Sequence, residues 1–190
     1  MGEACLVDRG VQAQWIPPAV KAETAWFALQ TGYRFEQRVA GDLSAKGFET
    51  YLPLVREVHQ WRDRKKIVDV PAFSGYLFIR CEPTTRNRVR VLETRGIVRL
   101  LGGNHAPLPI SEQELDAVKM ALGSGVRCER CETLTPGDMV RVLRGPLTGM
   151  KGWLMRVKNG ARLVLAVAGV AQGISAEVGI EDVQPLTEVN

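Results

Sequence analysis

Apolar positions in the chain change period several times, and each change predicts an element. The run "WFALQ" from Trp26 is continuously apolar and bounded by polar residues, which predicts a buried strand. From about Tyr33 to Lys46 the apolar residues Phe35, Val39 and Leu43 return every four positions, the spacing of one helical face, and Gly47 stops the helix. Arg34, Arg38 and Lys46 fall off that face. "FETYLPLVREV" reads as a strand interrupted by Pro53, "KIVDV" as a short strand and "YLFIRC" as a strongly apolar one. The basic stretch "HQWRDRK" joins the first two as a hairpin tip. Pro83 opens a helical segment to about Thr94, Gly96 breaks it, and "IVRLL" is one more strand. Ser111 and Glu114 have the spacing of a capping box for a helix running to Leu122.

The pattern then lapses. Gly123, Ser124, Gly125 and Thr135-Pro136 mark residues 124–134 as a linker. Beyond it come four or five short β-runs, among them "WLMRV" and "ARLVLAV", separated by turns such as Asn159-Gly160. Residues 1–24 lack periodicity and contain Pro17-Pro18, so they read as a flexible arm in which Trp15 is the one candidate contact. The expected fold class is α+β: an antiparallel sheet with flanking helices over 25–123, then a small β-barrel over 135–190.

One glycine-rich stretch, "GDMVRVLRGPLTGMKG" at 137–152, raises the question of a phosphate-binding loop. The catalytic template ends in Gly-Lys followed by Ser or Thr, whose hydroxyl holds magnesium. Here Lys151 stands between Met150 and Gly152, and no helical stretch follows, so a turn between barrel strands is the better reading.

Composition narrows the class. The chain has 190 residues, 45% of them hydrophobic, enough for one ordinary domain and a small one. It shows neither an apolar run of membrane-spanning length nor a basic segment followed by an apolar core, so a cytoplasmic protein is expected. The net charge of +4 is concentrated in mid-chain, where residues 80–99 carry six arginines against Glu82 and Glu93. Residues 56–66 add Arg56, Arg62, Arg64, Lys65 and Lys66 around Trp61, a mixture that suits phosphate backbones or acidic protein partners. Of the four cysteines, Cys5, Cys81, Cys128 and Cys131, only the last two are closely spaced. A lone Cys-x-x-Cys is half a zinc site, and the histidines, His59 and His105, are isolated. Two reduced linker thiols and no metal or cofactor are therefore expected.

Four stretches in order carry a resemblance to the NusG-like transcription elongation factors, over roughly residues 25–186. They are "WFALQTGYRFEQRVAGDL", "AFSGYLFIR", "TRGIVRLLGG" with "PISEQELDAV", and the "GDMVRVLRGPLTGMKG" segment, which resembles the KOW motif. Trp61–Arg64 and the Thr94-Arg95-Gly96 turn look closer to specialised paralogs of the RfaH and capsule-operon kind. The resemblance implies an NGN-like domain followed by an SH3-like KOW barrel, and a non-enzymatic, monomeric factor. Such a factor binds the clamp helices of RNA polymerase and suppresses pausing or termination, in specialised paralogs at particular operons. By position, Phe73 and Tyr76, with Phe27 nearby in the sheet, would line the apolar patch that takes the clamp. Ser74 replaces the proline usual there, which implies a less rigid loop. Asn87, Arg88 and Arg90 fall where RfaH-like proteins place a second polymerase contact. Arg95, in the turn formed with Thr94 and Gly96, is placed to touch the non-template DNA strand, with Arg34 and Arg38 as weaker candidates. The barrel offers "AGVAQGIS" where the general factor has an apolar-aromatic-glycine-arginine stretch, so contact with Rho or a ribosomal protein is not expected.

Two other classes compete. KOW modules also occur in RNA-binding and ribosome-associated factors, which pull-down partners would distinguish. An enzyme lacks support, because no nucleophile and base stand at a recognisable spacing.

Overall fold

A computed structural model describes residues 23–61, 64–102, 106–134, 137–157 and 160–186. Trp15 and nearly all of the expected arm, His105, and Asn159 of the expected Asn-Gly turn lie outside these residues. The N-terminal half is built on strand β1 (Ala25–Thr31), which pairs antiparallel with β5 (Tyr76–Cys81) on one side. On its other side it pairs with β6 (Ile97–Leu100) and β7 (Pro109–Ile110), while β2 (Glu49–Tyr51) extends the sheet beyond β5. Because strand side chains alternate between faces, this sheet feeds two cores. Phe27, Leu29, Leu77 and Ile79 point to one face, under Val39 and Leu43 of helix α1 (Glu36–Ala45) and Val91 of α2 (Thr85–Leu92). Trp26, Ala28 and Phe78 point to the other, toward Leu115, Val118 and Ala121 of α3 (Glu112–Gly123).

The expected helices form, with shifted ends. Helix α2 begins at Thr85 rather than Pro83, because Thr84 takes the cap position and its Oγ1 accepts the Asn87 backbone N–H at 3.2 Å. Ser111 and Glu114 do form the capping box of α3. Strands β3 (Leu54–Gln60) and β4 (Lys65–Pro71) make a separate two-stranded ribbon, and the strands take in His59, Gln60 and Lys65 of the expected hairpin tip. Among the described residues no helix is long and apolar enough to cross a membrane.

The C-terminal half is a six-stranded antiparallel sheet curled around Val140, Leu154, Leu163 and Ile174. Its strands are β8 (Cys128–Cys131), β9 (Asp138–Val142), β10 (Lys151–Val157), β11 (Gly160–Ala166), β12 (Gly173–Val178) and β13 (Val183–Pro185). Strand β8 corrects the expectation of a linker over 124–134. "CERC" has no apolar alternation, but its backbone pairs with the β12 edge from Cys128↔Ala176 to Cys131↔Gly173. Three positions apart on a strand, Cys128 and Cys131 point to opposite faces, which is the wrong arrangement for a shared metal.

Strand β8 is fastened by charge as well. The Arg162 guanidinium donates to Glu129, and Arg127 lies 2.9 Å from the same carboxylate. Through the Arg162 hydrogen bond first, then the charges of Arg162 and Arg127, the Glu129 carboxyl is held below its ordinary value of 4.5 although partial burial opposes this. An unfolded chain therefore binds that proton more readily than the folded one. The stabilisation is present above pH 4.5 and is lost as the pH falls below it. Thermal melts across an acid series should show a shallower decline for Glu129→Gln than for the wild type. A difference of about 1 kcal/mol at most is expected for this partly exposed group; parallel declines would show that Glu129 does not contribute.

Candidate functional site

The turn between β4 and β5, Ala72 to Gly75, is fixed from three directions. Glu36, in the first turn of α1 and only 5% exposed, accepts the Gly75 N–H at 2.8 Å. The Gly75 carbonyl accepts the Thr31 N–H at 2.8 Å, and the Ser74 carbonyl accepts the Gln172 side chain from the barrel at 3.2 Å. Hydrogen bonds supplied from three distant segments thus hold the turn at Ser74 and Gly75. Glu36 was not singled out from the sequence; a carboxylate on the otherwise apolar flank of α1, beside Phe35 and Val39, was the available signal.

This turn corrects the expected docking patch. Phe73 is fully buried and meets Phe78 edge-on at 5.4 Å, so it is a core residue in this arrangement rather than part of an exposed surface. Phe27 is buried in the other core, because it and Phe78 have opposite parity across the sheet, and it cannot share a patch with Phe73. Tyr76 is half-buried against the Phe73 side.

The barrel covers this side. Val167 and Val170, in the loop between β11 and β12, are buried in the same cluster as Phe73. A Cβ on Gly169 would lie 2.7 Å from Leu108, which shows how closely the loop approaches the sheet domain. A second clamp joins β8 to the ribbon, where Arg130 Nε and its terminal nitrogen reach the two Glu57 carboxylate oxygens at 2.5 and 3.0 Å. The "AGVAQGIS" segment therefore faces the chain's own N-terminal domain.

Helix α2 divides the second group of expected residues. Asn87 is engaged at the helix start, its side-chain amide donating to the Glu82 carbonyl at 3.1 Å. Arg90 donates to the Lys46 carbonyl at 2.7 Å and lies 4.8 Å over the Phe48 ring. Arg88 is half-buried and lines a small cavity of about 70 Å³ with Phe27, Ile79 and Cys81. Asn87 and Arg90 thus tie α2 to neighbouring segments.

Of the residues expected near nucleic acid, the structure sets Arg34, Arg95 and Gly96 on adjoining turns, while Arg38 and Thr94 stand apart in their contacts. Gly32 N–H donates to the Gly96 carbonyl at 2.8 Å, and a Cβ on Gly96 would sit 2.5 Å from the Phe35 ring, so only glycine lets the two turns meet. That contact sets Arg34 and Arg95, both exposed, on adjoining turns. Arg34 holds the left-handed conformation at φ 62° with its guanidinium 5.4 Å from the Tyr33 ring, which is 78% exposed. Arg38 makes a loose exposed pair with Asp42 at 3.9 Å. Thr94 is 4% exposed and its hydroxyl accepts Lys46 Nζ at 2.8 Å, so it is structural. A cleft of about 740 Å³ between α3 and the barrel, lined by Met120, Met139, Met150 and Trp153, contains none of the expected residues.

Comparison with known proteins agrees with this architecture. The family described as "Transcription termination factor nusG" matches residues 24–119. A transcription termination/antitermination protein NusG from Xylella fastidiosa is 28% identical over 177 residues, covering 81% of this chain and 96% of that one. Its counterpart from Lactococcus lactis is 26% identical over 180 residues, covering 87% and 96%. A solved structure concerning domain interaction in Thermotoga maritima NusG superposes with a TM-score of 0.52 at 16% identity, covering 86% of this chain and 98% of that one. At that identity the superposition speaks for the fold, while the match over 24–119 spans β1 through most of α3: the chain belongs to the NusG family of transcription factors.

Proposed function

We propose that the chain is a transcription elongation and antitermination factor, acting in the cytoplasm, that docks on the clamp helices of RNA polymerase through the surface around Tyr76 and suppresses pausing or termination. The observation that carries this reading is the family match over residues 24–119, which takes in every strand of the sheet domain and most of α3. With the barrel in place, Tyr76 is partly accessible and Phe73 is not, so full docking requires the β11–β12 loop to leave the Ser74 turn. The barrel then acts first as a shield, consistent with the inward placement of Val167 and Val170. The exposed face of α2 near Arg88 is the candidate for a second polymerase contact. Arg34 and Arg95 are the candidates for the non-template strand, where a guanidinium meets phosphate or stacks on a base.

A tagged full-length chain should capture RNA polymerase subunits from a lysate. Truncating a central aromatic anchor costs about 2 to 4 kcal/mol, so Tyr76→Ala should weaken capture roughly thirtyfold or more. Glu57→Ala, which removes the Arg130 clamp, should strengthen it. Capture of ribosomal subunits in place of polymerase would replace this reading with that of a ribosome-associated KOW factor.

A further inference from the structure

The β3–β4 ribbon has a distal half that packing does not explain. Its base is anchored: Val55 is buried, Val70 packs against the same core, and the Ala72 N–H donates to the Pro53 carbonyl at 2.8 Å. Beyond the Glu57↔Val68 pair the strands are exposed, with Val58 and His59 on the rim of a cavity shared with Arg127, Arg130 and Glu132. Val58 and Ile67, directly opposed, are 63% and 66% exposed; His59, Gln60, Lys65 and Lys66 are exposed, and so is Trp61 at the end. Reciprocal backbone hydrogen bonds between Trp61 and Arg64 keep the ribbon closed there. A bare two-stranded ribbon is marginal in water, and exposed valine, isoleucine and tryptophan at its end mark a surface that meets something.

Charge identifies the class of partner. From Val58 to Ile67 the sequence has Arg62, Arg64, Lys65 and Lys66 against Asp63 alone, a net of four minus one. The acids nearer the base are engaged: Glu57 by Arg130, and Asp69 opposite Arg56 at 3.8 Å. The distal half therefore carries a clear excess of cations, four against Asp63.

We propose that this distal half binds double-stranded DNA, the ribbon entering the major groove with Arg64, Lys65 and Lys66 on phosphates and Trp61 leading. The major groove of B-form DNA, about 12 Å wide, admits a two-stranded ribbon. The A-form groove of duplex RNA is too narrow for one. Single strands are held by successive aromatics, and the ribbon has one. None of these residues belongs to the Tyr76 surface, so the assignment stands apart from the polymerase reading.

The test is fluorescence anisotropy of the full chain with a mixed-sequence DNA duplex of about 20 base pairs across a salt series. The same measurement is made with one strand alone and with duplex RNA. Arg64→Ala/Lys65→Ala/Lys66→Ala alters only exposed side chains, and an unchanged melt confirms its fold. It should bind the DNA duplex at least about tenfold more weakly at low salt, with a salt slope lower by about 2 to 3 because three phosphate contacts are gone. Trp61→Ala should weaken binding without changing the slope. Absence of duplex binding by the wild type, equal binding by the triple variant, or equal preference for single strands or duplex RNA would overturn the proposal. So would a triple variant that loses polymerase capture but keeps DNA binding, since the ribbon would then be a protein contact. Duplex binding that follows the ribbon while no form of the chain captures polymerase would support this proposal and sink the docking reading.

Discussion

Phe73→Ala should lower the stability of the whole chain by about 3 to 5 kcal/mol, the range for deleting a buried aromatic ring. The side chain has no exposed surface, stands edge-on to Phe78, and belongs to a cluster that continues through Leu115 and Val118 of α3 to Val167 and Val170 of the barrel loop. Its removal leaves a hole where elements of both domains converge, and none of them can collapse into it independently. Urea unfolding would read the change directly. A loss under about 1 kcal/mol would mean that Phe73 is replaceable by its surroundings and is held there for a partner instead.

A second large effect is expected in the barrel. Gly152 is buried on β10, and a Cβ there would lie 2.6 Å from the Val164 carbonyl oxygen and 3.0 Å from a Leu163 methyl. A methyl group can turn aside, but a backbone carbonyl in a paired strand cannot, so Gly152→Val should destabilise the barrel by at least about 3 kcal/mol. Gly149, three residues earlier in the same glycine-rich segment, has a positive φ of 88° with open space where a Cβ would go. Gly149→Ala should cost only about 1 to 2 kcal/mol of backbone strain. Equal losses for the two variants would show that conformation, not close approach, is what the segment requires.

The sequence made legible what local pattern decides. The four-residue return of Val39 and Leu43, the Ser111–Glu114 spacing and the apolar run of "YLFIRC" each correspond to an element that forms. What was hidden depends on partners far along the chain. Strand β8 exists because the β12 edge offers it hydrogen bonds, and the two residues of β7 are strand only by pairing with β1. Thr94 reads as an exposed turn residue until Lys46, 48 positions away, is found donating to it. The same limit governs the candidate site. An aromatic-glycine-tyrosine turn has one sequence whether a second domain covers it or not, so the burial of Phe73 could not be read from "AFSGYLFI".

The incorporation of β8 into the barrel also sets how far the two domains can part. Helix α3 ends at Gly123 and β8 begins at Cys128, so while β8 stays paired the tether is the stretch 124–127. Fully extended, so short a stretch reaches about 14 Å. A barrel released from the sheet would then remain at an effective concentration of millimolar order or above, and any competitor for the covered surface must outbind that local supply. Peeling β8 from β12 would extend the tether to residue 137 and more than triple its reach. The register from Cys128↔Ala176 to Cys131↔Gly173 is thus a leash whose length changes in one step, and its strength sets whether an opened barrel hovers beside its own domain or travels to another partner.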